Sequence, residues 1–136
     1  MSRTFNKDYK FGSAEEKRLL PILEAKFDLE LELTAKCHRF DYVDFKKKVF
    51  IELKSRNNTK EKYPTTIITE SKFLVGQKLQ GEGWRIIYVF NFTDRICYID
   101  PNPEQTFVVK NQGRRDRGKL EYHPHINFNI TELTDF

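Results

Sequence analysis

Cysteine is nearly missing from this chain: Cys37 and Cys97 lie sixty positions apart and outside any CxxC spacing. That excludes a disulfide-stapled scaffold and a cysteine-built zinc site, and it fits reduced thiols in an intracellular protein. Long apolar runs are absent too. The longest is Ile86-Ile87-Tyr88-Val89-Phe90, far short of the roughly 20 residues of a membrane span. The opening MSRTFNKDYKFGS has no apolar signal-peptide core, so neither a membrane protein nor a secreted one is expected. No Gly/Ser linker, internal repeat or low-complexity tract breaks the 136 residues, which read as one domain over 1–136. A chain of this length buries roughly two-thirds of its unfolded surface and needs no metal staple to fold. With 38% hydrophobic and 32% charged residues, it is globular rather than disordered.

Charge is present and unevenly spread. The formal net charge is +4, but Lys46–Lys62 holds seven basic residues against Glu52 and Glu61, a local +5. Lys110–Lys119 holds five against Asp116, a local +4, which leaves −5 for everything else. Clustered Lys and Arg gain free energy by displacing counterions from phosphates, so a polyanion such as DNA is the partner this pattern favours. Solvated charged turns would produce the same pattern. Within these windows Lys46, Lys47, Arg56, Arg114, Arg115, Arg117 and Lys119 are the candidate DNA contacts. The Gly-flanked basic run 114–119 suits tracking a phosphate backbone without reading bases.

Periodicity predicts a helix from about Ser13 to Phe27, with Leu19, Leu20, Leu23 and Phe27 on one face and Pro21 kinking it. Residues 28–35 alternate as a half-buried strand. Two β-rich runs, 39–45 and 48–54, flank a lysine-rich turn and read as a hairpin. A polar loop spans 55–64, a helix 66–80 stopped by Gly81-Glu82-Gly83, and strands Trp84–Phe92, Ile96–Asp100 and His125–Ile130 follow, with mostly loop over 101–119. The order is α-β-β-β-α-β-β, an α/β domain around a central sheet.

Chemistry concentrates in Phe40–Arg56, FDYVDFKKKVFIELKSR. Side chains alternate along a strand, so Val49, Ile51 and Leu53 form an apolar stripe and Phe50, Glu52 and Lys54 share the other face. A two-residue turn at Lys46-Lys47 would set Asp41 across from Glu52 on that face and Asp44 across from Val49 on the wrong one. Two carboxylates and an ammonium converging on one face suit metal-assisted phosphodiester hydrolysis. Hard oxygens, with the Ile51 carbonyl free to join Asp41 and Glu52, can hold Mg²⁺ or Mn²⁺. The metal would polarise a phosphoryl oxygen and acidify a water that Lys54 orients or deprotonates. A cross-strand ion pair on a solvated sheet face is the plainer alternative, worth under about 1 kcal/mol. Glu-x-Lys also occurs at Glu15, Glu24 and Glu70, but only Glu52-x-Lys54 has an apolar strand around it and an acidic strand before it.

These residues resemble the PD-(D/E)XK nuclease superfamily, and more closely its archaeal-type Holliday junction resolvases. The likeness lies in Asp41, then a hairpin into Ile51-Glu52-Leu53-Lys54-Ser55-Arg56, preceded by Gly12, Glu16, Leu19 and Leu23 at the resolvase spacing. Tyr63-Pro64-Thr65-Thr66 and the Asp116-Arg117-Gly118-Lys119 tail are similar to small nuclease-like proteins of large DNA viruses and phages. Phe40 stands where the superfamily name has proline, and the hairpin is slightly shorter than in the resolvases. The resemblance implies a restriction-endonuclease-like αβββαβ core, a mixed sheet flanked by helices. It further implies Mg²⁺- or Mn²⁺-dependent cleavage of branched or structured DNA, and a homodimer for paired cuts. It singles out Glu16 as a site residue, although Ser13-Ala14-Glu15-Glu16 also reads as a capping box. It leaves Lys72 or Gln77 as the helix residue facing the site, with the spacing favouring Lys72. A sequence-specific restriction-like or homing endonuclease is the enzyme alternative, and a non-catalytic nucleic-acid-binding module the other. His123-Pro124-His125 lacks a nearby third ligand, so no metal role is expected there.

Overall fold

The computed structural model describes residues 3–34, 38–112 and 123–136, with the backbone alone over 3–13. Helix α1 (Arg3–Phe27) is followed by strands β1 (Glu32–Leu33), β2 (Tyr42–Asp44), β3 (Val49–Ser55) and β4 (Thr65–Thr69). Helix α2 (Glu70–Gly81) precedes β5 (Arg85–Asn91), β6 (Ile96–Ile99), β7 (Val108–Gln112), β8 (His123–Asn129) and β9 (Thr134–Asp135). A six-stranded mixed sheet has the order β1-β2-β3-β5-β6-β9, and β4-β8-β7 form a second, antiparallel sheet. Among the described residues, no helix is long and apolar enough to cross a membrane.

α1 covers one face of the large sheet. Leu19 and Leu23, one turn apart and fully buried, pack with Tyr42, Val49, Ile51, Ile87 and Val89. Pro21 sits on the exposed side, so the bond its missing N–H would have made is on the water-facing wall and the helix continues through it. The exit is a left-handed stop: Asp28 has φ 54° and the Leu29 N–H reaches the Glu24 carbonyl at 3.1 Å, as in a Schellman motif. The helix begins at Arg3, ten residues earlier than the periodicity predicts, so Ser13 lies inside it. The capping-box reading of Glu16 is thereby removed, because an interior residue has no orphan amide to cap.

The opposite face is covered by α2 and the small sheet. Phe73, Ile68, Ile126, Phe128 and Leu133 pack there on Val43, Phe50, Ile86, Tyr88 and Phe90. The predicted helix over 66–80 is thus two elements. Thr65-Thr66-Ile67-Ile68-Thr69 are all β-branched and alternate in burial as an antiparallel partner of β8. The helix starts only at Glu70, where β-branching stops. Strand β7 lies where loop was expected, and β9 follows the last predicted strand. Four of the five β7 side chains are exposed, so no alternating apolar pattern announces it.

The β2–β3 hairpin keeps the predicted parity: Tyr42 pairs with Ile51, Val43 with Phe50 and Asp44 with Val49. Its loop has four residues, not two. Asp44 shapes it by accepting the Lys47 N–H at 2.9 Å and the Glu30 N–H at 3.0 Å, and Lys48 turns the chain at φ 56°. β3 then runs parallel to β5, Glu52 beside Tyr88 and Lys54 beside Phe90.

Candidate active site

The carboxyl-terminal half of β3 delivers the site. Glu52 is 2% exposed, since the face it shares with Phe50 and Lys54 is buried under α2 and not solvated as the ion-pair alternative requires. Its Oε1 accepts from Lys72 Nζ at 2.9 Å, with Lys54 Nζ at 3.5 Å. Its Oε2 is buried and, among the described residues, without a partner. A buried carboxylate oxygen left unmatched costs at least about 1–3 kcal/mol, and such a cost persists where function retains it. Burial pushes the Glu52 carboxyl up to about 7, with the Asp41 charge adding to that and the two ammoniums opposing it. Burial likewise lowers the Lys54 pKa, against the pull of Glu52 and with the help of Lys72 and Arg56.

Asp41 arrives through a break in the ladder. Regular pairing stops at Tyr42 and Ile51, and the next bond, Asp41 N–H to the Ile51 carbonyl at 3.0 Å, is one residue out of register. The Asp41 side chain takes over a backbone role, its Oδ2 accepting the Leu53 N–H at 2.8 Å. The Ile51 carbonyl thus accepts one hydrogen bond and keeps its second lone pair. Glu16 completes the acidic group from α1. Burial first, then the charge of Asp41, a hydrogen bond with it and the charge of Glu52 push Glu16 up to about 7. The Tyr42 hydroxyl donates to the Glu16 backbone carbonyl at 2.7 Å and fixes that turn of α1 over β2.

Lys72 lies in the first turn of α2 and Gly76 one turn later. A Cβ on Gly76 would stand 2.6 Å from the Tyr88 hydroxyl oxygen, so the helix approaches the sheet this closely because residue 76 has no side chain. That approach brings Lys72, rather than Gln77, onto Glu52. Two neighbours escaped sequence reasoning. Asn91, at the end of β5, donates to Glu15 Oε1 at 2.7 Å, and Tyr88 is buried beside Glu52 with its hydroxyl pKa raised by burial and by that carboxylate. Register with Glu52 could have indicated Tyr88, but nothing in the sequence points to the Asn91–Glu15 contact.

The basic candidates are scattered. Lys46 and Lys47 occupy the β2–β3 loop, roughly 20 Å along β3 from Lys54 at about 3.3 Å per residue, and Lys47 is bound to Asp28. They do not join the site. Arg56 does lie near it, donating to the Ile67 carbonyl with its guanidinium 5.9 Å from the Phe90 ring centroid. Arg114, Arg115, Arg117 and Lys119 fall outside the described residues.

Among the described residues, no three His, Cys, Asp or Glu side chains form a preassembled cation cage. The chemistry of the donors nonetheless fits a hard divalent ion. Glu52 Oε2 is an orphaned buried oxygen, and burial first, then the charge of Asp41, holds both Glu16 and Glu52 protonation-prone, a cost that a cation would relieve. No curated protein and no solved structure matches the chain. A family model does, over residues 8–136, and it is that of phage putative PDDEXK endonucleases. Three acids and two lysines gathered at the end of β3 agree with it, and the chain belongs to the family of phage putative PDDEXK endonucleases.

Proposed function

We propose that this endonuclease hydrolyses phosphodiester bonds in DNA with a divalent metal, Mg²⁺ or Mn²⁺, and acts on branched or otherwise structured DNA. The observation that carries the reading is the buried Glu52, with one oxygen on Lys72 and the other unmatched, beside Asp41 and Glu16. A structural ion pair needs neither an orphaned buried oxygen nor two further carboxyls beside it. Asp41 and Glu52 would hold the metal, with Glu16 close enough to complete or tune it. Once bound, the metal supplies Lewis-acid polarisation of the phosphoryl oxygen and a more acidic water.

The remaining chemistry falls to this chain. Lys54 reaches from the strand edge with its side chain about one-third exposed, so it can meet a substrate from solvent. Its lowered pKa suits it to orient the attacking water and accept its proton as oxygen bonds to phosphorus. One ester P–O bond breaks, and the leaving oxygen takes up a proton. Lys72 fixes the Glu52 carboxylate and adds positive charge where the phosphorane gains negative charge.

The likeness to junction-resolving nucleases supports structured DNA as substrate and a homodimer that places two such sites on one junction. The test is incubation of wild type and Glu52→Gln with Mg²⁺ and labelled duplex, single-stranded, flap and four-way DNA. Preferential cutting of the branched forms by wild type alone is the expected result. Cutting of a single duplex sequence would replace this reading with the restriction-like one. A protein that binds but cuts nothing in Mg²⁺ or Mn²⁺ would leave a binding module.

A further inference from the structure

Beyond Lys54 the chain leaves β3 and lines a groove of about 300 Å³ formed by Arg56, Asn58, Tyr63, Thr66, Phe92 and Gln112 among others. Arg56 joins this groove to the candidate active site. It lies two residues past Lys54, roughly 7 Å along an extended chain. Its guanidinium packs over Phe90, the cross-strand neighbour of Lys54. On the groove's outer wall Tyr63 is 52% exposed, with the Lys62 ammonium 5.5 Å from its ring centroid.

An exposed aromatic is ordinary on a surface, but this one is mounted on a pinned loop. The Lys60 N–H bonds Asp94 Oδ1 at 2.9 Å and the Thr93 N–H bonds the Asn58 carbonyl at 3.1 Å. The Ile130 N–H bonds the Pro64 carbonyl at 3.1 Å, and Lys60 Nζ holds Asp135 at 2.6 Å. The loop is thus anchored to the β5–β6 turn, to the turn after β8 and to β9. A half-exposed ring on an anchored loop, lining the same groove as Arg56 and with an ammonium over one of its faces, has the makeup of a base-stacking platform.

We propose that this groove is a nucleotide subsite for the DNA strand being cut. The nucleotide next to the scissile phosphate enters it, with its phosphate at Arg56 and its base stacked on Tyr63. Stacking uses the π-face that every base has, so the subsite holds the strand without selecting sequence. An unstacked base reaches Tyr63 far more readily from a junction, flap or single strand than from intact duplex. The inference rests on the nuclease reading and accounts for a preference for structured DNA within it.

The experiment is an abasic walk. DNA binding is measured by fluorescence anisotropy in Ca²⁺, on a flap oligonucleotide carrying one abasic position that is moved base by base along the strand. Wild type, Tyr63→Ala and Tyr63→Phe are compared, and cleavage of unmodified DNA in Mg²⁺ is followed in parallel. Removing the ring should weaken binding about 5- to 100-fold, the loss typical of one stacked base. The same loss should appear in wild type when the abasic position reaches the subsite, and Tyr63→Ala should no longer register that position. Tyr63→Phe keeps the ring and should behave as wild type. Cleavage by wild type with a flat walk, or equal affinity of all three proteins, overturns the subsite and leaves the nuclease reading standing. A walk that depends on Tyr63 without any cleavage supports the subsite and overturns the nuclease. Loss of both removes both.

Discussion

Replacing Glu52 by Gln should stabilise the metal-free protein at alkaline pH, although it deletes a carboxylate from an ion pair. Burial and the Asp41 charge raise the Glu52 carboxyl from an ordinary 4.5 to about 7 in the folded chain. Below the unfolded value the carboxyl is protonated in both states and costs nothing. Between the two values the unfolded chain releases its proton first, so folded stability declines as pH rises, and above about 7 the whole cost is present. At about 1.4 kcal/mol per pH unit the decline attributable to Glu52 is on the order of 3 kcal/mol. Gln has the shape of the protonated acid and carries no charge to desolvate. The two proteins should therefore be nearly equal at pH 5, with the variant ahead by up to about 3 kcal/mol at pH 8. For a chain of this size that is roughly 10 °C in Tm. Glu16, also raised to about 7, keeps some pH dependence in the variant. The assay is thermal unfolding in EDTA from pH 5 to pH 8. Divalent ions added at pH 8 should then stabilise wild type and not the variant. A variant that is less stable than wild type at pH 8, or a Tm gap independent of pH, would refute the reasoning.

Lys54→Ala should cut DNA on the order of 10²–10⁴ more slowly in single-turnover assays while still binding it in Ca²⁺, because the buried stripe of Val49, Ile51 and Leu53 is untouched. Gly76→Ala drives a methyl against the Tyr88 hydroxyl and should cost about 1–3 kcal/mol in chemical denaturation. Adding Tyr88→Phe should recover much of that loss, and no recovery would show that the 2.6 Å approach is not its source. Charge reversal at Arg114, Arg115 and Arg117 should weaken DNA binding alike for all sequences and flatten its dependence on salt, as titrations over a salt series would reveal.

The site was legible where one strict rule governs it. Strand alternation ties the pairing parity to any even-length loop, so the register of Tyr42 with Ile51 and Asp44 with Val49 survived a wrong loop length. What the second face touches was not legible. Phe50, Glu52 and Lys54 look like a solvated face until Thr65–Thr69 is recognised as a strand. That segment abuts α2 without a Gly, Pro or Asn between them, so no turn residue marked the boundary. The register break at Asp41 is equally silent, because it comes from the Asp41 carboxylate replacing a backbone acceptor for Leu53. Glu16 was found through likeness rather than physics. The local pattern Ser-Ala-Glu-Glu favours a cap, and only a helix starting at Arg3 removes that role.

The parallel pairing of β3 with β5 also fixes when the site can exist. Val49 meets Arg85 across a crossover made of β4 and α2, a pairing far apart in sequence and costly in loop entropy to close. Glu16, Asp41, Glu52, Lys54 and Lys72 all precede β5 in the chain, yet the strand bearing Glu52 finds its inner neighbour only when β5 docks. During synthesis the growing chain carries every charged group of the site well before it can align them. The site therefore cannot assemble before residues up to Asn91 have emerged, and the cover over the Glu52 face waits longer still, until β8 pairs with β4.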